Sequence, residues 1–240
     1  MEFTTGSMGA SVSCGCTSVQ GRPGIDGYFR LGPVREVISA VGALSRAEEI
    51  SYIISQEWTW FDVVRGLEGR ASCQDDAVQF FVYRMAQYLA FPADVIALVA
   101  RDCERCAAEG RNLIEEKYAR MMRATDPERY AHTWASRLGE PSPVRKAALE
   151  DVAAALLPMA DAVARELPES ARHARVEASM SGRVSAVDYF LSEVEGYSLD
   201  TLWRLAEGLR AKAKRHESLI AETYGHSVAL LRAIQGERAR

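Results

Sequence analysis

The sequence predicts an all-α fold, and three observations lead to that prediction. Apolar residues recur every three or four positions along most of the chain after Pro33. Helix start and stop signals separate these segments, and no run of residues alternates between apolar and polar as a half-buried strand would. There is no internal repeat. Because each helix must bury its apolar stripe, we expect one bundle of about six to eight helices with a polar interior pocket.

Composition argues against several classes of function. The 29 basic side chains are scattered among 33 acidic ones, for a net charge of −4, whereas nucleic-acid binding needs clustered Lys and Arg. No apolar run reaches the roughly 18 residues of a membrane span, and no signal peptide is recognisable. The five cysteines are an odd number for a secreted disulfide framework. We expect a cytoplasmic protein without nucleic-acid or membrane partners; one sequence does not predict its oligomeric state.

Changes in composition divide the chain into three regions. Residues 1–7 (MEFTTGS) have the composition of a cloning scar. Residues 8–32 form a Gly-, Ser- and Thr-rich arm with two cysteines, predicted to be flexible or loosely docked. Residues 33–240 form a single helical domain, in which the stretch 138–143 (LGEPSP) is the clearest linker.

The first strong helix is predicted to start at Ser45, where the sequence SRAE has the form of a capping box. Its buried stripe contains Ile54 and Phe61, and Glu57 falls within the same stripe. The helix is expected to end at Gly69, a natural helix stop. A carboxylate therefore projects into an apolar interior.

A polar octet, Gly69–Asp76 (GRASCQDD), follows this helix. Ser72 is a suitable cap for a second helix, and the two aspartates would favour its positive end. Arg70 and Gln74 fall on the inward side of the helical wheel. Because a buried polar group without a partner costs about 1–3 kcal/mol, we expect both to face Glu57.

A third helix is predicted from about Asp94 to Arg123, and it too has charged residues on its apolar side. Four charged residues lie within about 60° of its apolar line; they are Asp102, Glu109, Lys117 and Arg120. Arg111, Glu115 and Tyr118 share the opposite face, the first two at the spacing of a surface ion pair. Three interpretations stay open: an internal salt-bridge network, a polar pocket for a small ligand, or a metal site.

Metal signals are weaker. Cys103 and Cys106 have C-x-x-C spacing, and with Cys14 and Cys16 they could complete a four-thiolate zinc site. A lone C-x-x-C inside a helix is more commonly two small core residues. No Glu-x-x-His motif, the signature of helical di-metal sites, occurs. We therefore predict no cofactor, with zinc as the minor alternative.

The last third of the chain is less informative. An Ala- and Leu-rich helix contains Pro158, where we expect a kink or an interruption. A long polar loop, 169–187, follows, and the final helices are predicted to break near Gly196 and Gly225. Ser198 is either the cap of the last helix or part of a segment that closes over a site.

Several motifs carry a resemblance to a known family. They are Glu57-Trp58 with Phe61, the octet Gly69–Asp76, Gln87-Tyr88, Glu109–Leu113 with Glu116–Met122, and Tyr189–Leu191 with Glu193 and Tyr197-Ser198. Through them the chain resembles the uncharacterised bacterial family domain of unknown function 4125 over roughly residues 48–225. The resemblance implies an all-helical fold and indicates which residues belong together, but it implies no reaction. The Cys-containing arm departs from the family pattern.

These residues predict an enzyme that acts on a small polar or amino-acid-like molecule, in a pocket between the Ser45, Ser72 and Asp94 helices. Buried carboxylates suit general acid/base chemistry, and cations with helix-start amides suit an anionic group. The catalytic candidates are Glu57, Asp75, Glu109 and Cys73. The substrate-binding candidates are Arg70, Gln74, Asp76, Lys117, Arg120, Tyr118 and Asn112. The alternative is a non-catalytic domain that senses a small molecule or binds another protein.

Overall fold

The computed structural model describes residues 24–65, 69–166 and 185–238. This described part contains twelve α-helices and no β-strand, so the all-α class is confirmed. The helices are α1 (Asp26–Arg30), α2 (Gly32–Ala40), α3 (Ala47–Val63), α4 (Ala77–Ala90), α5 (Ala93–Ala108), α6 (Leu113–Thr125), α7 (Pro127–Thr133), α8 (Ala135–Leu138), α9 (Pro143–Glu166), α10 (Ala186–Val194), α11 (Leu199–Lys214) and α12 (Leu219–Arg238). The predicted six to eight helices were too few, because short helices were missed and one predicted helix is two.

Gly110 divides the predicted third helix into α5 and α6. It adopts a φ of 68°, and the amide of Arg111 donates to the carbonyl oxygen of Cys106 at 2.8 Å, a typical helix end. Asn112 then caps α6 by accepting a hydrogen bond from the amide of Glu115 at 2.9 Å. The prediction of a single third helix is therefore wrong. A helical wheel drawn across this break does not show which residues share a face.

Two predicted helix starts also differ from the structure. Ser45 lies in a short 3-10 turn, and α3 begins after that turn without a side-chain cap. Ser72 begins a second 3-10 turn, and α4 starts only after it. There Asp76 accepts a hydrogen bond from the amide of Gln79 at 2.9 Å. An aspartate of the octet therefore has the capping role predicted for Ser72.

The later helices match the sequence in part. Residues 139–142 connect α8 to α9, as predicted for the linker, and the break near Gly196 is present. By contrast α9 continues through Pro158, which removes one amide hydrogen bond from the helix. α12 continues through Gly225, which has a low helix propensity but keeps its amide. Ser198 caps α11 by accepting from the amide of Thr201 at 3.3 Å.

The end of the predicted N-terminal arm is docked on the helical domain. Ile25 is only 2% exposed, and the rings of Tyr28 and Phe29 lie 5.2 and 4.9 Å from the ring of Phe81. Because of these contacts, residues 25–32 belong to the helical domain and not to the arm. Residues 1–7, the first part of the arm and most of the predicted loop 169–187 lie outside the described residues.

Helix packing brings α3, α4, α6 and α10 to one internal position. α3 packs against α4, α5 and α6, and α10 packs against α6. α12 lies along α4, while α9 lies along α11. The core between these helices is apolar, with Ile50, Ile54, Phe81, Met85, Val99 and Leu205 among its fully buried members. None of the described helices is both long enough and apolar enough to cross a membrane.

Gly208 in α11 permits the close approach of α11 to α5. A Cβ atom at this position would lie 2.3 Å from Cγ of Pro92, and the proline ring is too rigid to move aside. We expect Gly208→Ala to lower the free energy of unfolding by about 1–3 kcal/mol, measured by urea denaturation. The control is Gly225→Ala in α12, where nothing lies within 4 Å of an added Cβ; it should be neutral or stabilising by up to about 1 kcal/mol. Equal effects would argue against this packing.

Candidate functional site

A group of buried charges lies where α3, α4, α6 and α10 meet. Each helix contributes one residue, and we call the four the charge cluster. Its members are Glu57 of α3, Arg84 of α4, Lys117 of α6 and Glu193 of α10. Each is at most 7% exposed. Two acids and two bases make the cluster neutral overall, which reduces the large cost of burying charge.

Arg84 is at the centre of the charge cluster. Its Nε and Nη2 atoms donate to the two carboxylate oxygens of Glu57 at 2.7 and 2.6 Å. Its Nη1 and Nη2 atoms donate to the two oxygens of Glu193 at 3.0 and 2.9 Å. Lys117 Nζ also donates to Glu193, at 2.6 Å. One guanidinium therefore joins both carboxylates through forked, charge-assisted hydrogen bonds.

Neutral polar groups complete the hydrogen bonding of the cluster. The hydroxyl of Tyr88 donates to Glu57 Oε1 at 2.6 Å, and the amide of Gln87 donates to Glu193 Oε1 at 2.7 Å. The hydroxyl of Tyr197 lies 3.4 Å from that of Tyr88. The buried polar groups here are thus paired with one another inside the protein.

The two carboxylates differ in their electrostatic surroundings. Burial raises the pKa of both. At Glu193 the two cations Arg84 and Lys117 outweigh burial and hold the pKa well below its ordinary value. At Glu57 burial outweighs the effect of Arg84, and the pKa is raised. Because Glu57 has one cationic partner and Glu193 has two, Glu57 is the first of the pair to accept a proton.

A second group of ion pairs continues along α6. The buried carboxylate of Glu116 accepts hydrogen bonds from Arg111 at 2.8 Å and from Arg120 at 2.7 Å. Arg120 and Arg123 lie 3.4 and 2.9 Å from the carboxylate of Glu195, which follows α10. These pairs hold the end of α10 against α6, beside the charge cluster.

Two predicted neighbours of Glu57 lie elsewhere. Gln74 is buried as expected, but its amide donates to two carbonyl oxygens at the end of α3, including that of Phe61 at 2.5 Å. Arg70 forms an ion pair with Asp62 at 2.8 Å and also donates to its carbonyl oxygen. The prediction that both residues face Glu57 is therefore wrong. Carbonyl groups at the end of α3, which lie close to both residues in the chain, accept their hydrogen bonds instead.

Three of the catalytic candidates lie outside the cluster. Cys73 is exposed, and Asp75 has 61% of its side chain exposed in an ion pair with Arg70. Glu109 follows α5 with 46% of its side chain exposed, and it pairs with Arg111 at 3.1 Å. The break at Gly110 turns Glu109 away from the interior. The structure therefore does not bring these three residues to Glu57.

The remaining predicted binding residues have identifiable contacts. Lys117 belongs to the charge cluster and Arg120 to the pairs beside it, both buried as predicted. Asn112 caps α6 and donates to the carbonyl oxygen of Trp60 at 3.0 Å. Tyr118 is half-buried, and Asp76 caps α4. Asp76 and Asn112 thus stabilise helix starts.

Arg84 was not among the residues predicted from the sequence, although its signal was present. Phe81, Arg84 and Tyr88 recur at spacings of three and four, so a charge lies within an apolar stripe of α4. The same signal identified Glu57 in α3. Glu193 was not recognised as the partner of Arg84, because 109 residues separate Arg84 from Glu193 in the chain.

A cavity of about 880 Å³ lies between α4, α9, α10 and α12. Its interior is mainly apolar, with Val78, Val82, Leu156, Phe190, Ile220 and Val228 among the lining residues. Gln87 also lines it and connects it to the charge cluster through Glu193. The predicted pocket lay between the Ser45, Ser72 and Asp94 helices. The charge cluster and apolar core pack there, and this cavity lies on the other side of α4.

Large apolar side chains are exposed around this cavity. Tyr83 is 56% exposed, Leu157 42%, Tyr224 64% and Leu231 40%, and all four line it. We call this exposed part of the lining the cavity mouth. Grouped exposed apolar side chains mark sites where a ligand or a partner binds.

The predicted zinc site has two members within the described residues. Cys103 and Cys106 are buried in α5, and burial raises the pKa of both thiols. Cys14 and Cys16 lie outside the described residues. Within the described ranges, no group of three or more His, Cys, Asp or Glu side chains is placed to hold a metal ion. The four-thiolate zinc site stays a prediction.

Removing the central guanidinium tests the charge cluster. Arg84→Met leaves the like charges of Glu57 and Glu193 buried beside each other. We expect the free energy of unfolding at about pH 7 to fall by about 3–5 kcal/mol, measured by urea denaturation. Arg204→Met is the control, since Arg204 pairs with Glu207 at the surface; it should cost less than about 1 kcal/mol. Equal losses would contradict a central role for Arg84.

The opposite pKa shifts of Glu57 and Glu193 predict that their contributions to the free energy of unfolding change with pH in opposite directions. Ionised Glu193 contributes stability above its unfolded pKa, and this contribution is lost as pH falls towards its low folded pKa. The contribution of Glu57 is complete below its unfolded pKa and is lost as pH rises through its higher folded pKa. Between about pH 7 and about pH 4, the stability deficit of Glu193→Gln should therefore shrink while that of Glu57→Gln should grow. Urea denaturation at both pH values measures this, and the same trend in both variants would refute the assignment.

One comparison with known proteins finds a match. The sequence pattern of a family described as "Protein of unknown function (DUF4125)" matches residues 47–232, a range that begins with α3 and contains the whole charge cluster. No match was found among the curated proteins or among the solved structures. The family resemblance predicted from the motifs is confirmed, over a stretch slightly longer than residues 48–225. The chain therefore belongs to the DUF4125 family of proteins of unknown function.

Proposed function

We propose that this domain binds a small, largely apolar molecule without turnover, in the cavity between α4, α9, α10 and α12. One observation carries the proposal: the cavity has a volume of about 880 Å³, and its mouth exposes four large apolar side chains. This volume lies within the range of roughly 300–1,000 Å³ for small-molecule sites. We place this binding in the cytoplasm, as the sequence predicts, and in a bacterium, as the family resemblance implies.

The contacts of the charge cluster favour binding over catalysis. A general base must come within hydrogen-bond distance of its substrate. Glu57 is only 4% exposed, and its carboxylate oxygens accept hydrogen bonds from Arg84 and Tyr88. The cluster instead holds α4 and α10 in place, and these helices form two walls of the cavity.

An acid/base enzyme is the second candidate, and one observation favours it. The pKa of Glu57 is raised while that of Glu193 is lowered, and pairs of carboxyl groups that differ in this way serve as acid and base in many enzymes. In that case Glu57→Gln would stop conversion of the bound molecule without weakening its binding. Mass spectrometry of the ligand after incubation with wild type and variant distinguishes the candidates.

Filling the cavity tests the proposed function. Ala160 of α9 lines the cavity, so the indole ring of Ala160→Trp should occupy it. We expect the neutral dye N-phenyl-1-naphthylamine to bind the wild type at one saturable site, seen as increased fluorescence, and to bind Ala160→Trp at least about tenfold more weakly. Ala147→Trp, an exposed position of the same helix outside the lining, should bind the dye like the wild type.

Thermal melting followed by circular dichroism verifies that both variants are folded. Dye fluorescence that does not saturate, or the same dye affinity in Ala160→Trp and Ala147→Trp, would contradict binding in the cavity.

A further inference from the structure

We propose that the cavity binds an amphiphilic cation, an alkyl- or aryl-ammonium compound whose apolar part lies inside and whose nitrogen lies at the mouth. This inference rests on the proposed binding function and names its ligand class. The first observation is the sign of the charges that line the cavity. Three carboxylates line the cavity, and no Lys, Arg or His is among the described residues that do so.

The carboxylates come from the start of α4, from α9 and from α10, and none of them is buried. Asp76 and Asp161 are exposed and Asp188 is half-buried. Asp188 accepts from Ser185 through Oδ2 and Asp76 accepts from Gln79 through Oδ1. Within the described residues, the other carboxylate oxygen of each accepts no hydrogen bond. Three negative charges in the lining of one cavity attract a cation and repel an anionic head group.

Two tyrosines at the mouth supply a second attraction. Tyr83 and Tyr224 are 56% and 64% exposed, one on α4 and the other on α12. An aromatic face attracts an ammonium group within about 6 Å of the ring centre. Carboxylates together with aromatic faces are a combination that recognises substituted ammonium ions.

The Ser and Thr hydroxyls that line the cavity already donate hydrogen bonds within the protein. The hydroxyls of Thr223 and Ser227 donate to backbone carbonyl oxygens of α12 at 2.7 and 2.8 Å. The amide of Gln87 donates to Glu193, and the hydroxyl of Ser185 donates to Asp188. A carboxylate or phosphate head group needs such donors. Together with the three lining carboxylates, the use of these hydroxyls favours a hydrocarbon inside the cavity and a cation at the mouth.

Three ligands with the same chain length test the inference on the full-length protein. Octylammonium, octanol and octanoate compete with bound N-phenyl-1-naphthylamine at low ionic strength and neutral pH. We expect octylammonium to displace the dye with a dissociation constant about tenfold lower than that of octanol, and octanoate to bind more weakly than octanol.

A matched pair of variants assigns the preference to the mouth. Asp161→Asn removes one lining charge and should reduce the preference for octylammonium over octanol about threefold. Asp151→Asn, on the same helix but outside the lining, should leave the preference unchanged.

The outcomes separate the two proposals. Equal affinities for the three compounds, or tighter binding of octanoate, would overturn the ligand class while leaving the binding function intact. If the dye does not bind and none of the three compounds raises the melting temperature, the binding function fails and the ligand class fails with it. An equal effect of both aspartate variants would also overturn the role of the mouth.

Discussion

The position of the guanidinium of Arg84 between Glu57 and Glu193 is the constraint on which the rest of the structure depends. Apolar burial favours many packings of amphipathic helices, but an unpaired buried carboxylate excludes most of them. Only an arrangement that brings α3, α4, α6 and α10 together satisfies both carboxylates and Lys117. The charge cluster therefore favours one packing among those that hydrophobic burial would allow.

The charge cluster also positions walls of the cavity, which lies on the other side of α4. One side of α4 presents Arg84 to the charge cluster, and the other presents Val78 and Val82 to the cavity. Glu193 fixes α10 in the same way, so the cluster positions two of the four walls. Gln87 belongs to both the cluster and the lining. A cavity whose walls are held by buried ion pairs is preformed, which reduces the ordering cost of binding.

Local spacing predicted much of the fold and part of the site. Glu57 lies in an apolar stripe, and the structure buries it; Gln74 is also buried, but in a 3-10 turn that precedes α4. Pairing between distant elements was not predictable, because spacing shows that a charge points inward and not which charge it meets. Gln74 therefore binds the nearby end of α3, while Arg84 binds residues far along the chain. The cavity was not predicted, because its walls come from four helices that are separated in sequence.

Methyl NMR tests most directly whether ligands bind in the cavity or at the charge cluster. Labelled Ile, Leu and Val methyl groups are observed while N-phenyl-1-naphthylamine is added. We expect shift changes at Val82, Leu156 and Val228, which line the cavity, and none at Ile54 or Val99 in the core of α3 and α5. Changes centred on Ile54, one helical turn from Glu57, would place the ligand at the charge cluster and contradict this account.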